Sequence, residues 1–435
     1  MTEIFEIPVN EIAQRTLNKI NVGESAFDDT NASAIAVPNI KGKELVPWGD
    51  GNVRPTDIIA LMRNDEVLSS NMRFNIFSNY GTGLKVTKQD GGDVDAPVKD
   101  FFKFNRPTRY LIEQITDIEH FQWSVCVLIL NREGNAIVQI RHKEVTYTRL
   151  AKNNKDGKIE YIYYKDWESS EGTPEEIPLL DINDPLGDLM VRMGKKPNAD
   201  GEIDKSEKGR KFAMINSIPV PGNKYYPFPY WWAIFNSGWY DNKQMIPGAK
   251  KAKFKNGLAV SYQVSINKEY WGYLFQIENI SDPVKQQERI TKEKNNIREF
   301  LTGMHQSGKV WFTGFYIDPT GKEQNMVKID TVEKGKEGGD WIDDTEEASN
   351  MECYAQGIHP SLIGATPGKS KGGFSGSDKR ELFTIHQILN IPIREILLEP
   401  YFVIANFNNW DMKVEIPIVL LTTLDKKTDA QTINK

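Results

Sequence analysis

Apolar residues change their spacing once in the first half of the chain. They recur every three to four positions from Arg54 to Phe77 and again after Pro107, which predicts amphipathic helices. From Ser124 onward, short apolar runs bounded by turn residues predict buried strands. Residues 1–52 are rich in Asn, Asp, Ser and Gly, and we expect an extended arm there. Residues 166–210 are polar with many Gly, Pro and Asp, and we expect a loop or an insertion.

The second half of the chain predicts a small α/β segment between two long helices. An aromatic-rich helix is expected over residues 227–255, with a bend or break at Pro247. Residues 256–331 then read as a strand, a helix and a hairpin, giving a β-α-β-β unit. The two hairpin strands begin at Lys309 and Met326.

The stretch that follows combines a helix, a glycine-rich loop and a second helix. The first helix is predicted over residues 341–357, with four carboxylates near its start: Asp343, Asp344, Glu346 and Glu347. Carboxylates at a helix N-terminus complement the helix dipole, so ordinary helix-start chemistry is one explanation for them. The second helix continues past Pro392, where a proline inside the helical pattern predicts a kink, and a last strand follows at Met412.

The loop between these helices has the composition of a mobile contact segment. Residues 364–376 hold five glycines and two lysines with little apolar content. Its central residues are Lys369, Ser370, Lys371, Gly372, Gly373 and Phe374. Residues 364–370 are similar to the sequence of a phosphate-binding loop. However, three residues separate their two glycines instead of four, and no buried strand precedes them. The spacing therefore favours a loop that contacts a moving partner over a nucleotide site.

Composition excludes several classes of protein. There are 54 Lys and Arg against 60 Asp and Glu, a net charge of −6, which argues against a dedicated duplex-DNA clamp. The two cysteines are far apart, so no disulfide framework is expected and a reducing compartment fits. Cys353 and His359 could approach one another, but two ligands do not make a metal site, and we expect neither a metal nor a cofactor. We also expect no signal peptide, no membrane-spanning helix and no catalytic motif.

Four places in this order of elements resemble the portal proteins of tailed bacteriophages and prophages. Residues 115–138 resemble the helix-to-hairpin segment of the portal wing, and residues 254–262 resemble the exit from the first stem helix into the clip. Residues 357–364 are similar to the G-[IV]-P-P-x-L-L-G stretch that closes the second stem helix, although His359 stands where proline is common. The glycine-rich loop before the helix that contains Pro392 occupies the place of the tunnel loop.

The resemblance implies an α+β subunit with an α/β wing, two long stem helices bracketing the β-α-β-β clip, a glycine-rich tunnel loop and a Pro-kinked helix. The 166–210 segment has no counterpart in the family pattern, and no large crown domain is expected after the last strand. The implied boundaries are an arm and wing at 1–222, a first stem helix at 223–255, a clip at 256–335, a second stem helix at 336–363, a tunnel loop at 364–377, and a kinked helix with the wing-closing strand at 378–435.

The resemblance also implies a function. Portal proteins form a homo-oligomeric ring, usually of twelve subunits, at one capsid vertex of the virion, after assembly in the cytoplasm of the bacterial host. Double-stranded DNA passes through the ring during packaging and ejection. The partners so implied are the terminase large subunit, the major capsid protein and a head-completion adaptor, with no membrane and no enzymatic activity. The loop residues 369–374 would touch DNA transiently, and the carboxylates at 343–347 would line the channel.

Two other readings stay open. One is an enzyme of a mobile element, an NTPase or a nuclease, that uses Lys369 and Ser370. The other is a different ring-forming component of a phage head–tail junction or baseplate, which would lack two long helices around a small α/β unit.

Overall fold

The computed structural model describes residues 34–198, 201–203, 209–222, 225–255, 262–302, 314–317, 321–331, 337–363, 376–419 and 421. The described residues divide into two units. Those within Asn242–Thr345 form one unit, and those within Pro8–Asp241 and Glu346–Lys435 form the other, larger unit. The predicted clip, 256–335, falls inside the first unit.

The described residues combine helices with strands that pair antiparallel, so the predicted α+β class is confirmed. The helices are α1 (Arg54–Arg63), α2 (Glu66–Tyr80), α3 (Ala96–Asn105), α4 (Pro107–Phe121), α5 (Pro185–Arg192), α6 (Ala233–Asn236), α7 (Trp239–Lys255), α8 (Lys268–Ile277), α9 (Pro283–Thr302), α10 (Glu337–Ala355), α11 (Pro360–Ile363), α12 (Gly376–Leu389) and α13 (Ile391–Asn408). The strands are β1 (Ile35–Ala36), β2 (Glu44–Leu45), β3 (Lys85–Thr87), β4 (Trp123–Leu130), β5 (Ile137–Lys143), β6 (Thr148–Leu150), β7 (Tyr161–Tyr164), β8 (Glu175–Pro178), β9 (Lys211–Ser217), β10 (Tyr262–Ile266), β11 (Phe315–Ile317), β12 (Glu323–Asn325), β13 (Val327–Thr331) and β14 (Lys413–Glu415).

The larger unit is built around β4, which confirms the prediction of a buried strand from Ser124. It lies between β5 and β9 in an antiparallel sheet. Because neighbouring side chains on a strand point to opposite faces, Val125 and Val127 enter one core cluster and Cys126 and Leu128 enter another. Helices α1 and α2 cover the first face, and α3, α5 and α13 cover the second.

Aromatic rings form much of the first cluster. Trp48 stacks on Tyr226 with ring centroids 4.8 Å apart and packs at an angle on Trp123, 5.4 Å away. Such pairs contribute about 0.5–1.5 kcal/mol each beyond the burial of their area. Tyr226 also donates a hydrogen bond to the Val46 carbonyl and accepts one from the Leu150 amide, so its hydroxyl is satisfied inside the core.

The prediction of one helix from Arg54 to Phe77 is wrong, because the chain forms two helices there. Asp65 separates α1 from α2 and is the N-cap of α2. Its Oδ1 accepts hydrogen bonds from the Val67 and Leu68 amides at 2.9 and 3.0 Å. The apolar spacing continues across this break and conceals it.

The segment 166–210, expected to be a loop or an insertion, contains β8 and α5. Strand β8 pairs with β7 in a second sheet. Helix α5 is capped by Asp184, whose Oδ1 accepts from the Gly187 amide at 2.8 Å. Leu189 on this helix is fully buried in the core. The arm prediction for 1–52 is tested only from residue 34, where β1 and β2 pair with each other.

The first stem helix differs from its prediction in where it breaks. A short turn at Tyr230–Trp232 and α6 precede α7, and Gly238, with φ +80°, stands between the helices. Helix α7 continues through Pro247, so of the predicted bend or break only the break is wrong, and the bend stays a prediction.

The smaller unit has one more helix than predicted, since α8 precedes α9. Strand β13 pairs with β10, with Val264 opposite Ile329, whereas β11 pairs with β12. Strands β11 and β12 pair with each other, and the Met326 amide donates to the Gly314 carbonyl at 3.0 Å, as the predicted hairpin requires. Its first strand stays a prediction, since residues 309–313 lie outside the described residues.

Candidate functional site

The four predicted carboxylates lie on α10, but not at its start. The helix begins at Glu337, so Asp343 is already in its second turn. Asp343, Asp344 and Glu347 are exposed and Glu346 is half-buried. Because the helix dipole acts mainly within the first turn, it no longer accounts for these carboxylates. Asp343 and Asp344 belong to the smaller unit, and Glu346 and Glu347 to the larger.

The end of α10 is fixed to α2 by hydrogen bonds between buried groups. Asn71 Nδ2 donates to Cys353 Sγ at 3.5 Å. Gln356 continues the contact, because its Nε2 donates to the Leu68 carbonyl at 3.4 Å and its own carbonyl accepts from Asn75 Nδ2 at 3.2 Å. Helix α2 therefore holds the point at which the chain leaves α10.

The helices on either side of the glycine-rich loop also contact α2. Leu362 and Ile363 of α11 and Phe383 of α12 line one groove of about 450 Å³ together with Phe74 and Phe77 of α2. The predicted contact residues of the loop, Lys369, Ser370, Lys371, Gly372, Gly373 and Phe374, lie outside the described residues.

Pro392 lies at the junction between α12 and α13. The sequence predicts one helix that continues past this proline, but the structure has two helices, which are separated at Asn390. Pro392 falls in the first turn of α13, where its missing amide proton costs no helical hydrogen bond. A second proline, Pro400, lies inside α13.

Arg394 connects this junction to α2. Its Nη2 donates to the Ser78 carbonyl at 2.7 Å and to Gln387 Oε1 at 2.7 Å, and its Nε donates to the Asn79 carbonyl at 3.2 Å. Arg394 is only 3% exposed, and burial lowers the pKa of its guanidinium. A cation here complements the negative end of the α2 dipole. Among the described residues, no carboxylate pairs with it and its Nη1 makes no hydrogen bond.

His386 completes the buried polar group at this junction. Its Nε2 lies 3.2 Å from Asn390 Nδ2, and its ring packs on Phe74 with centroids 5.2 Å apart. Burial, together with the charge of Arg394, lowers the pKa of His386. A neutral ring fits a site that already holds one buried cation. Sequence analysis missed Arg394 and His386, since their partners on α2 lie about 300 residues earlier in the chain.

Glu119 is a buried carboxyl group that the sequence did not single out. Its Oε1 accepts a hydrogen bond from Asn79 Nδ2 on α2. Burial raises the pKa of Glu119 to about 7, and the hydrogen bonds from Asn79 and Asn75 only partly offset that effect. Its backbone carbonyl accepts from Trp231 Nε1 at 3.0 Å, so Glu119 links α2, α4 and the aromatic core.

The described ranges contain neither a group of metal ligands nor a membrane-spanning helix. Within these ranges, no three His, Cys, Asp or Glu side chains are grouped in a way that could hold a metal ion. Cys353 bonds to Asn71, and the His359 ring accepts from the Ser361 amide at 3.3 Å, so each has its own local partner. In the same ranges, no helix has the length and apolar content that a bilayer crossing requires.

No family profile and no curated protein sequence matches the chain. Solved structures do match it. A chain in the neck of an empty GTA (gene transfer agent) particle, computed with C6 symmetry, aligns with a TM-score of 0.52 at 12% identity, over 82% of this chain and 84% of that chain. This protein has the fold of a chain found in the neck of a GTA particle.

Two further solved structures are similar. A chain in the neck of the native GTA particle, computed with C12 symmetry, aligns at 12% identity with a TM-score of 0.50, over 88% of this chain and 85% of that chain. A portal protein of an HK97-family phage from Corynebacterium diphtheriae aligns at 11% identity with a TM-score of 0.36, over 82% of this chain and 95% of that chain. The predicted resemblance to phage portal proteins is confirmed at the level of the fold.

Proposed function

We propose that this chain is the subunit of a phage portal, a homo-oligomeric ring at one vertex of the capsid. The observation that carries the proposal is the fold, which follows a particle-neck chain over 82% to 88% of this sequence. Those neck chains come from reconstructions with C6 and C12 symmetry, which supports a ring of twelve subunits. The ring belongs to the virion and assembles in the cytoplasm of the bacterial host.

In this proposal, the carboxylates of α10 face the channel through which double-stranded DNA passes. Support comes from the exposure of Asp343, Asp344 and Glu347 and from the distance of all four carboxylates from the helix start. Negative side chains repel the DNA phosphates. Lys and Arg contacts would release counterions and bind the duplex, and carboxylates do neither. DNA can then move in during packaging and out during ejection.

The loop around Lys369 and Lys371 makes the transient contacts with DNA. Two lysines per subunit can approach phosphate oxygens without reading the sequence of the bases. Support comes from the groove on α2, which is lined by the two helices that flank the loop. The DNA contacts of the loop would then be transmitted to a rigid helix in the wing.

The remaining partners follow from the same proposal. The clip, 256–335, binds the terminase large subunit during packaging and a head-completion adaptor afterwards, and the wing meets the major capsid protein. The role is structural, with no catalytic step.

Electron microscopy of the purified full-length protein tests the proposal. We expect closed rings with a central hole of roughly 20 Å or more, wide enough for a duplex. Class averages also give the number of subunits. A protein that stays monomeric at high concentration, and in the presence of the major capsid protein, would contradict the proposal.

A further inference from the structure

One groove of the larger unit has an open cationic and apolar surface. It lies between α2, α11 and α12 and has a volume of about 450 Å³. Phe74, Phe77, Leu362, Ile363 and Phe383 supply its apolar walls, and Arg73 supplies its charge. No carboxylate lines the groove among the described residues.

Two arginines make this groove electropositive. The Arg73 guanidinium lies 5.6 Å from the centre of the Phe77 ring and, over the described residues, forms no ion pair. Arg394 lies directly behind the groove, since its guanidinium bonds to Ser78 and Gln387, which both line it. The Nη1 atom of Arg394 has no hydrogen-bond partner within the described part of the chain. The groove therefore fits an occupant that brings both apolar groups and carboxylates.

Helix α13 presents a surface of that composition. Glu395, Glu399 and Phe402 are spaced four and three residues apart, which places them on one face of the helix, and all three are exposed. Phe402 is 64% exposed, whereas Leu397 and Tyr401 on the other side are buried in the core. Partial burial raises the pKa of Glu399, and neither glutamate forms an ion pair among the described residues.

We propose that the Glu395–Glu399–Phe402 face of α13 docks into the Arg73–Phe77 groove of a second copy of this chain. Charge complementarity selects the occupant, because an acidic and aromatic face meets a cationic groove with an exposed aromatic ring. Phe77 is 51% exposed and would be covered together with Phe402. The inference rests on the proposed function and names one contact between neighbouring subunits of its ring.

The contact joins two different surfaces of the same molecule, and this has a consequence for assembly. A contact between unlike surfaces leaves one groove and one α13 face uncovered on every dimer, so further copies add at both. The assembly has no uncovered surface left only when it closes into a ring. A two-fold contact would instead bring Phe77 of one copy near Phe77 of the other.

Cysteine cross-linking tests this arrangement directly. Cys126 and Cys353 are buried, so introduced cysteines at exposed sites are the reactive ones. We expect full-length Phe77→Cys/Phe402→Cys to give a ladder of oligomers under mild oxidation. An equal mixture of the two single variants should give dimers only, and each single variant alone should give none. Phe104→Cys/Phe402→Cys is the matched control, since Phe104 is more exposed than Phe77 but lies on α3.

Charge reversal supplies a second readout. We expect Arg73→Glu and Glu399→Arg each to raise the concentration needed for half-maximal ring assembly about tenfold or more. The double variant Arg73→Glu/Glu399→Arg should recover most of the loss. Lys99→Glu, an exposed reversal on α3, should leave assembly unchanged.

The outcomes separate the contact from the ring. Rings that form without a 77–402 cross-link, or that tolerate Arg73→Glu, overturn this contact and leave the ring intact. Cross-links between two copies of Phe77→Cys overturn it in favour of a two-fold contact. Absence of both rings and cross-links overturns the contact and the proposed function together.

Discussion

Arg394 Nη2 donates a 2.7 Å hydrogen bond to the carbonyl oxygen of Ser78, in the last turn of α2. The two residues lie 316 positions apart, so this bond joins the beginning and the end of the larger unit. This bond is partly buried, and the neighbouring bond from Arg394 Nε to the Asn79 carbonyl is fully buried, so water cannot easily replace the pair.

Removal of Arg394 should therefore destabilise the fold. Arg394→Leu leaves the Ser78 and Asn79 carbonyls without their donor, and we expect the free energy of unfolding to fall by about 2 kcal/mol. Denaturant unfolding followed by circular dichroism measures the change. Lys379→Ala, an exposed cation on α12, is the control and should change stability by less than about 0.5 kcal/mol. Equal stability of Arg394→Leu and wild type would show that the carbonyls find other donors.

The buried Glu119 predicts a pH dependence of stability. Its pKa is raised to about 7 in the folded state, so the folded protein holds a proton that the unfolded chain releases near pH 4.5. The stabilisation is complete below about pH 4.5 and is lost as the pH rises through about 7. The change in the Glu119 pKa from 4.5 to about 7 corresponds to about 3 kcal/mol in the free energy of unfolding.

Glu119→Gln keeps the shape of the side chain and removes its charge. We expect the variant to be more stable than wild type at pH 8 and close to it at pH 5. Unfolding curves at both pH values, in matched ionic strength, give the comparison. A variant whose stability changes with pH as steeply as that of wild type would assign the dependence to another group.

The carboxylates of α10 predict how strongly assembled rings hold DNA. Asp344→Lys/Glu347→Lys should raise the affinity for duplex DNA and steepen its salt dependence, because each new phosphate contact adds about 0.9 to the slope of log K against log salt. Fluorescence anisotropy with a short duplex at several salt concentrations measures both quantities.

The matched control for this prediction is Glu288→Lys/Glu299→Lys, two exposed reversals on α9. It changes the net charge by the same amount at a different place. An equal gain in DNA affinity from both double variants would mean that α10 has no special position relative to the channel.

Nucleotide binding distinguishes the structural reading from the enzyme reading. We expect no saturable ATP binding by calorimetry, and we expect Lys369→Ala to leave folding and ring assembly intact. The spacing between Gly364 and Lys369 is one residue too short for a phosphate-binding loop. ATP binding that Lys369→Ala abolishes would favour an NTPase instead.

Sequence patterns predicted the central strand β4, the acidic helix and the order of elements, since each depends on local spacing of apolar residues. They missed features that depend on single polar side chains. Asp65 ends one helix and caps the next within an unbroken apolar pattern. Helix α8 was missed because Tyr270, Trp271 and Phe275 place aromatic rings around the helix and hide its periodicity.

The candidate site was predicted only in part for a related reason. The carboxylates at 343–347 and the position of Pro392 follow from the local sequence. The polar group of Arg394, His386 and Asn390 depends on α2, a partner that no local pattern indicates. The residues at 369–374 lie outside the described ranges, so their contact with DNA stays a prediction.

Helix α2 is the common support of every segment that borders the loop. It contacts the end of α10 through Asn71, the flanking helices α11 and α12 through Phe74 and Phe77, and α13 through the carbonyl of Ser78. On the proposed function, a force that moving DNA applies to the loop would pass through the helices on both sides of it into α2, so a single helix would carry the load.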